Sequence, residues 1–267
     1  MERWSTNVII TRAKPGRIPF ASPGRAMPAG KRPAAVNHHH IPGERPFFTP
    51  TGVKQDVNMV TVITADVIGS RQQGALMRQI PERLAALSHP MLWTAFSLSR
   101  GDEIQGVCRG VLAAPELVRR LRHCCRPLSL RIGIGAGPEP EDKADSSWVL
   151  SGEAFFDARE ALERVKGARH ARTLAALRDE GLDAVANAIL ALMDAIQSRW
   201  TAAQWEAVAA YESFGTYEAA SKSLGIALQN VEKRCRAARW YAVRAGEAAL
   251  RRLGEDYLVR RGGVYHP

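Results

Sequence analysis

The nine residues 59–67, Met-Val-Thr-Val-Ile-Thr-Ala-Asp-Val, constrain the fold more than any other stretch of the chain. Val60 to Thr64 are all β-branched, and no charge appears before Asp66. Such a run is too short for an ordinary core helix and reads as a buried strand. Gly69 and Ser70 break it. A buried strand needs neighbours, and the sequence that follows supplies them. The pattern predicts a helix over 73–87, with Pro81 kinking it or opening a new first turn. A second strand (92–99), a turn at Gly101-Asp102 and a third strand (103–107) read as a hairpin. A helix over 115–124 and a fourth strand over 128–136 come next. An acidic loop (138–147), a helix over 151–165 with Ser151 as N-cap and a helix over 174–196 broken at Gly181 follow. In that last helix Leu182, Val185, Ile189, Leu192, Met193 and Ile196 share a face. Strands alternating with helices predict an α/β sandwich, joined partly by a hairpin and partly by helical crossovers.

Gly133, Gly135 and Gly137 alternate along the fourth strand and so lie on one face. Pro138 excludes a GxGxxG reading. The stripe suits close packing of a helix better than close approach of a ligand.

The C-terminal part reads as a helix-turn-helix. Thr201 caps a helix to 213, Thr216 caps a short helix over 217–224, and Gly225-Ile226 is a tight turn into a helix from 228 to about 244. Small Ala220 lets two helices cross, and Ile226, Val231 and Cys235 pack inward. That leaves Gln229, Asn230, Lys233, Arg234 and Arg236 outward, the residue types that read base edges and hold phosphates. Trp200, Trp205 and Trp240 read as core. The segment resembles the tail of sigma-factor region 4 and similar regulators. The alternative is a helical protein-interaction or dimerisation module.

Charge supports a nucleic-acid partner. The net charge is +10. Residues 59–196 hold seventeen Lys/Arg and seventeen Asp/Glu, so the excess lies at the two ends. Residues 1–58, with nine Lys/Arg against three Asp/Glu, are rich in Pro, Gly, Arg and Ala and show no period. They read as a disordered basic leader carrying a solvated His38-His39-His40 run, with Met59 the expected natural start. No apolar run of about eighteen residues predicts a membrane span, and no secretory h-region is evident. Cys108, Cys124, Cys125 and Cys235 form no CxxC pair and read as reduced thiols of a cytoplasmic protein.

Asp66 near the end of one strand and Asp102-Glu103 in a hairpin turn can converge on one sheet edge. Two close carboxylates repel unless a hard cation sits between them, so this grouping is a candidate Mg²⁺ site. Asp in strand-end turns is also common because it bonds its own backbone.

Four segments in order, ITADVIGSR (63–71), RGDEIQG (100–106), LRIGIGAG (130–137) and SGEAFFDAREALE (151–163), resemble the SatD family. They also look like the palm-type domain of class III nucleotide cyclases and GGDEF diguanylate cyclases. The resemblance implies an α+β palm-like sandwich, ferredoxin-like or nucleotide-cyclase-like, followed by an all-α helix-turn-helix. It implies Asp66 and Asp102 as ligands of two metals and Glu103 as an accessory metal carboxylate. A nucleotide would lie against Ile68, Gly69, Ser70, Arg71 and Gly101. Where cyclases carry an Asn and, four residues later, an Arg, this chain has Phe156 and Glu160, with Arg159 beside the second. The group that stabilises developing charge is thus not evident.

The expected organisation is a leader (1–58), a palm-like domain (59–196), a helix-turn-helix (197–250) and a basic tail (251–267). The expected function is regulation, with DNA bound by the C-terminal module and a nucleotide with Mg²⁺ sensed by the palm-like domain. A homodimer is compatible with this. A Mg²⁺-dependent cyclase-like or nucleotidyltransferase-like enzyme and a non-catalytic interaction module are the alternatives.

Overall fold

The computed structural model describes residues 59–99, 101–140, 146–168 and 172–260. The expected leader, the His38–His40 run and residues 141–145 of the acidic loop lie outside the described residues. In chain order the elements are β1 (Met59–Val67), a 3-10 turn (Ser70–Gln72), α1 (Gly74–Met77), α2 (Ile80–Ala85), β2 (Leu92–Leu98), β3 (Glu103–Arg109), α3 (Glu116–Cys125), β4 (Leu130–Pro138), α4 (Glu153–Gly167) and β5 (Thr173–Ala176). Then come α5 (Glu180–Gln197), α6 (Ala202–Phe214), α7 (Tyr217–Leu224), α8 (Leu228–Ala237) and α9 (Trp240–Arg260). No helix among the described residues is long and apolar enough to cross a membrane.

The five strands lie in the order β2-β3-β1-β4-β5. β1 pairs antiparallel with both β3 and β4, and β5 adds parallel to β4. Strand β1 is thus inserted between β3 and β4, so the first four strands make two interlocked split β-α-β units. That central position is what the uncharged run 59–65 needs, because both faces are covered. Val60 and Val62 pack with Val107 against Leu150, Ala154 and Ala158 at and before α4. Ile63, Ala65 and Val67 belong to a second core with Ile80, Leu84, Leu117 and Leu121 of α2 and α3.

The glycine stripe of β4 serves helix packing. A Cβ on Gly133 would stand 2.1 Å from the Ala158 carbonyl oxygen, and one on Gly135 2.1 Å from that of Ala154. The backbone of α4 therefore lies directly on β4, nearer than any side chain would permit.

Several boundaries differ from the sequence expectation. The helix expected over 73–87 is two short ones, with Pro81 in the first turn of α2. Gly152, not Ser151, occupies the cap position before α4. The helix expected over 174–196 is a strand and a helix: Thr173–Ala176 pairs with β4, and α5 starts at Glu180 with Gly181 inside it. Asp179 caps α5 by accepting from the Leu182 amide. The buried face of α5 is Leu182, Ala186, Leu190 and Met193, while Val185 and Leu192 are exposed. Its polar residues explain the rotation. Asn187 accepts from the Ala175 amide and donates to the Ala175 carbonyl, and Asp194 accepts from the Arg172 amide. Helix α5 thereby satisfies the outer edge of β5, which no strand covers among the described residues.

The helix expected over 228–244 breaks at Arg239, whose φ is 51°. The Ala238 carbonyl, freed there, accepts from the Trp200 indole at 2.7 Å. The chain continues as α9, so residues 251–260 are helical rather than a loose basic tail. Arg251 donates to the Ala113 carbonyl and pairs with Glu116.

The helices after α5 share the main core with the sheet. Trp200, Trp205 and Trp240 are buried, as expected, and belong to the same cluster as Ile63 and Leu121. At the junction Arg119 of α3 is fully enclosed. It forks to Glu212 of α6 at 2.6 Å and pairs with Glu247 of α9 at 2.7 Å, while its guanidinium stacks over Trp240 at 4.5 Å.

Candidate functional site

Two places gather the residues that the sequence singles out. The first is the end of the sheet where β1 runs into the 3-10 turn. The register sets Asp66 directly opposite Glu103 on β3 and Arg131 on β4. Side chains opposite one another share a face, so this trio lies on the side that carries α4, in line with Thr64 and Gln105. Asp66 accepts from Arg131 at 3.2 Å, and Glu103 lies 3.6 Å from Arg159 of α4. Asp102 is bound separately, by the Ser70 hydroxyl. Lys166 completes the group. Its ammonium is pushed up from the ordinary lysine value, first by its hydrogen bond to Glu163 and further by the fields of Asp66 and Glu103.

The backbone here is shaped by two glycines. Gly69 has φ 69° and Gly101 φ 118°, conformations that a side chain strains. The Val67 amide donates to the Asp102 carbonyl at 3.3 Å and Ile68 to the Ser129 carbonyl at 2.9 Å, which ties the turn to both flanking loops. Ile68 and Ser70 are half-buried, while Gly69, Arg71 and Gly101 are exposed.

The expected metal carboxylates are thus brought near one another, but as members of ion pairs and hydrogen bonds. Among the described residues no group of three or more His, Cys, Asp and Glu has the geometry to hold a metal ion. Hard oxygen donors suit Mg²⁺. Arg131 already engages Oδ2 of Asp66 and the Ser70 hydroxyl Oδ2 of Asp102, so these are the oxygens that hydrogen bonds occupy.

Arg131, Arg159 and Lys166 are the residues of this cluster that the sequence reading did not assign. Arg131 had a legible signal, because it alternates with Gly133 and Gly135 and so shares the face of α4. Arg159 was legible only as the residue beside the position where cyclases carry an Arg; its reach to Glu103 depends on how α4 lies across the strands. Phe156, at the position where cyclases carry an Asn, is 69% exposed.

The second place is the pair α7 and α8. Thr216 caps α7 by accepting from the Ala219 amide at 3.1 Å, and Gly225 ends it in the left-handed conformation with φ 63°. Ala220 is fully buried where the helices meet, and Val231 and Cys235 point into the core. The opposite side of α8 carries Gln229, Asn230, Lys233 and Arg236, all exposed, with Arg234 half-buried. No side-chain hydrogen bond or ion pair engages any of these five among the described residues. The Cys235 thiol is pushed up to about 11 by burial, which keeps it protonated and apolar in this core.

Residues 60–238 match the model of the SatD family. The chain belongs to the SatD family. The match spans both the sheet and the α7–α8 pair, so the SatD unit includes the carboxylate cluster and the basic helix together. No curated protein matches the chain. Among solved structures it is similar to the crystal structure of a regulator of polyketide synthase expression from Bifidobacterium adolescentis. That likeness has 13% identity over 76% of this chain and 81% of the other, with a TM-score of 0.24.

Proposed function

We propose that this SatD-family chain is a regulator that binds DNA through α7, the Gly225 turn and α8, a helix-turn-helix with α8 as the recognition helix. One observation carries the reading: α8 buries Val231 and Cys235 while Gln229, Asn230, Lys233 and Arg236 stand exposed and unpaired. Recognition helices contact base edges mainly through their N-terminal residues. Gln229 and Asn230 hold that position and suit adenine edges, while Lys233, Arg234 and Arg236 suit phosphates or guanine. The test is binding to a labelled duplex by anisotropy across a salt series. Each lost phosphate contact lowers the slope of log affinity against log salt by about 0.9. Lys233→Ala with Arg236→Ala is expected to flatten it by roughly 2. Binding that leaves the slope unchanged, or no binding at low salt, argues for a protein-interaction module instead.

A second reading, binding of a Mg²⁺–nucleotide at the end of β1, is favoured by the register that sets Asp66 opposite Glu103 with three cationic side chains around them. Arg131, Arg159 and Lys166 would meet phosphate oxygens, Asp66 and Asp102 with Glu103 the cation, and Ile68 to Arg71 with Gly101 the rest of the nucleotide. A thermal-shift titration with Mg²⁺ and nucleoside triphosphates checks it. A rise in wild type that disappears in Asp66→Ala/Asp102→Ala supports the site, and equal rises in both count against it. Product analysis of the same mixtures separates a sensor from a cyclase-like or nucleotidyltransferase-like enzyme.

A further inference from the structure

A cleft of about 500 Å³ opens between α2, α3 and α6, on the far side of the sheet from the carboxylate cluster. Its volume falls in the range of small-molecule sites, roughly 300–1,000 Å³. Leu87, Trp205, Val208 and Ala209 give it an apolar lining, and Arg83 and Arg120 bring charge to it.

The charge balance is what selects a ligand. Arg119 also borders the cleft, but it is paired with two carboxylates, Glu247 and the cleft-lining Glu212, so it offers no free positive charge and its triad carries one surplus negative charge. Glu206 acts on Arg126 and His123. Among the described residues Arg83 donates to neutral acceptors, the Arg126 carbonyl at 2.5 Å and the Gln79 side chain at 2.7 Å, and to no carboxylate. The Arg120 side chain is half-buried and makes no hydrogen bond or ion pair among the described residues. His123 lies stacked on Trp205, and burial, then Arg126 and Arg119, hold its imidazole below the ordinary value, so it adds little positive charge. Two guanidinium groups without a carboxylate partner among the described residues, over an apolar lining, suit an anionic head on an apolar body.

We propose that this cleft binds a small organic anion, an apolar and preferably flat molecule bearing one carboxylate or sulfonate, with Arg120 and Arg83 holding the acid group. Such a ligand touches α2 and α3 of the sheet layer and α6 of the helical part at once. The site is independent of the DNA and nucleotide readings above.

The probe is 8-anilinonaphthalene-1-sulfonate, an apolar aryl anion, titrated by fluorescence into the full chain. Its neutral counterpart, N-phenyl-1-naphthylamine, serves as the comparison. Cys124 provides a second readout, because it lines the cleft and is half-exposed while Cys108, Cys125 and Cys235 are buried. Saturable binding is expected, weakened about tenfold or more by Arg120→Glu, by Ala209→Trp and by removal of the probe's charge. Saturating probe is expected to slow alkylation of Cys124 by iodoacetamide. Binding of equal strength to wild type and Arg120→Glu overturns the proposal, as does unchanged Cys124 alkylation at saturation or no saturable binding at all. The Arg120 side chain has no structural partner among the described residues, so its variant keeps the test decisive should Ala209→Trp fail to fold.

Discussion

At Gly135 the α4-facing side is already occupied, by the Ala154 carbonyl at 2.1 Å and the Ala158 amide at 2.4 Å from where a Cβ would stand. Both obstacles are backbone, so relief requires α4 to move off the sheet. Overpacking of this kind costs typically about 1–3 kcal/mol and sometimes more. For a chain of this size that lowers the melting temperature by roughly 2–4 °C per kcal/mol. Gly135→Ala is expected to show such a drop in a calorimetric scan. Gly74→Ala, with nothing within 4 Å of its Cβ, is expected to be neutral or slightly stabilising. Single residues also set thiol reactivity. Burial pushes the Cys108 thiol up to about 12, and the Cys125 thiol is raised by its hydrogen bond to Cys124 and by burial. That same hydrogen bond lowers Cys124. Native protein treated with iodoacetamide near pH 8 is therefore expected to carry its first label on Cys124, read by peptide mass spectrometry.

Among the elements, α3 carries the charged contact between the sheet layer and the helices that follow it. Arg119 and His123 lie on successive turns of one face, against Glu212, Glu247 and Trp205. His123 gives this contact a pH dependence with a definite sign. In the unfolded chain its imidazole takes up a proton near 6.5, whereas burial and the two neighbouring arginines resist protonation in the fold. The unfolded state then binds more protons, so stability is present above about pH 6.5 and is lost as pH falls below it. His123→Phe keeps a ring against Trp205 and removes the titration. The stability of wild type relative to this variant is expected to fall between about pH 7.5 and pH 5.5, measured as urea midpoints. A constant difference would exclude His123 as the source.

Across the whole molecule, one continuous core joins the sheet to the helices after it, with the Arg119 fork inside. A buried ion pair of this type adds modest net stability when intact but costs about 3–5 kcal/mol when one partner is removed. Arg119→Leu strands two carboxylates, and its unfolding midpoint is expected to fall accordingly. Adding Glu212→Gln and Glu247→Gln is expected to recover most of the loss, since the uncompensated charge is then gone. The shared core also predicts one transition for wild type, with tryptophan fluorescence and far-ultraviolet circular dichroism coinciding. Trp200, Trp205 and Trp240 report the junction directly. Two separated transitions would show instead that sheet and helices unfold independently.

Local signals in the sequence determined a good deal by themselves. The run 59–67 specified a buried strand because five consecutive β-branched residues, Val60 to Thr64, in a short stretch uncharged before Asp66 fit a strand and not a core helix. Thr201, Thr216 and Gly225 marked the ends of α6 and α7, since caps act within one turn of the chain. The alternation of Gly133, Gly135 and Gly137 announced a face on which something must come close. The tertiary structure alone decided the features that depend on distant partners. Residues 173–176 became β5 because β4 offers an edge and Asn187 closes the other side, although by local pattern they continue a helix. The break at Arg239 depends on Trp200 reaching the Ala238 carbonyl from 38 residues away. The pairing of Asp66 with Arg131 and of Glu103 with Arg159 likewise depends on how the strands and α4 come together. Charges of both signs were visible along the chain, but their distances were not, and electrostatic energy depends on distance.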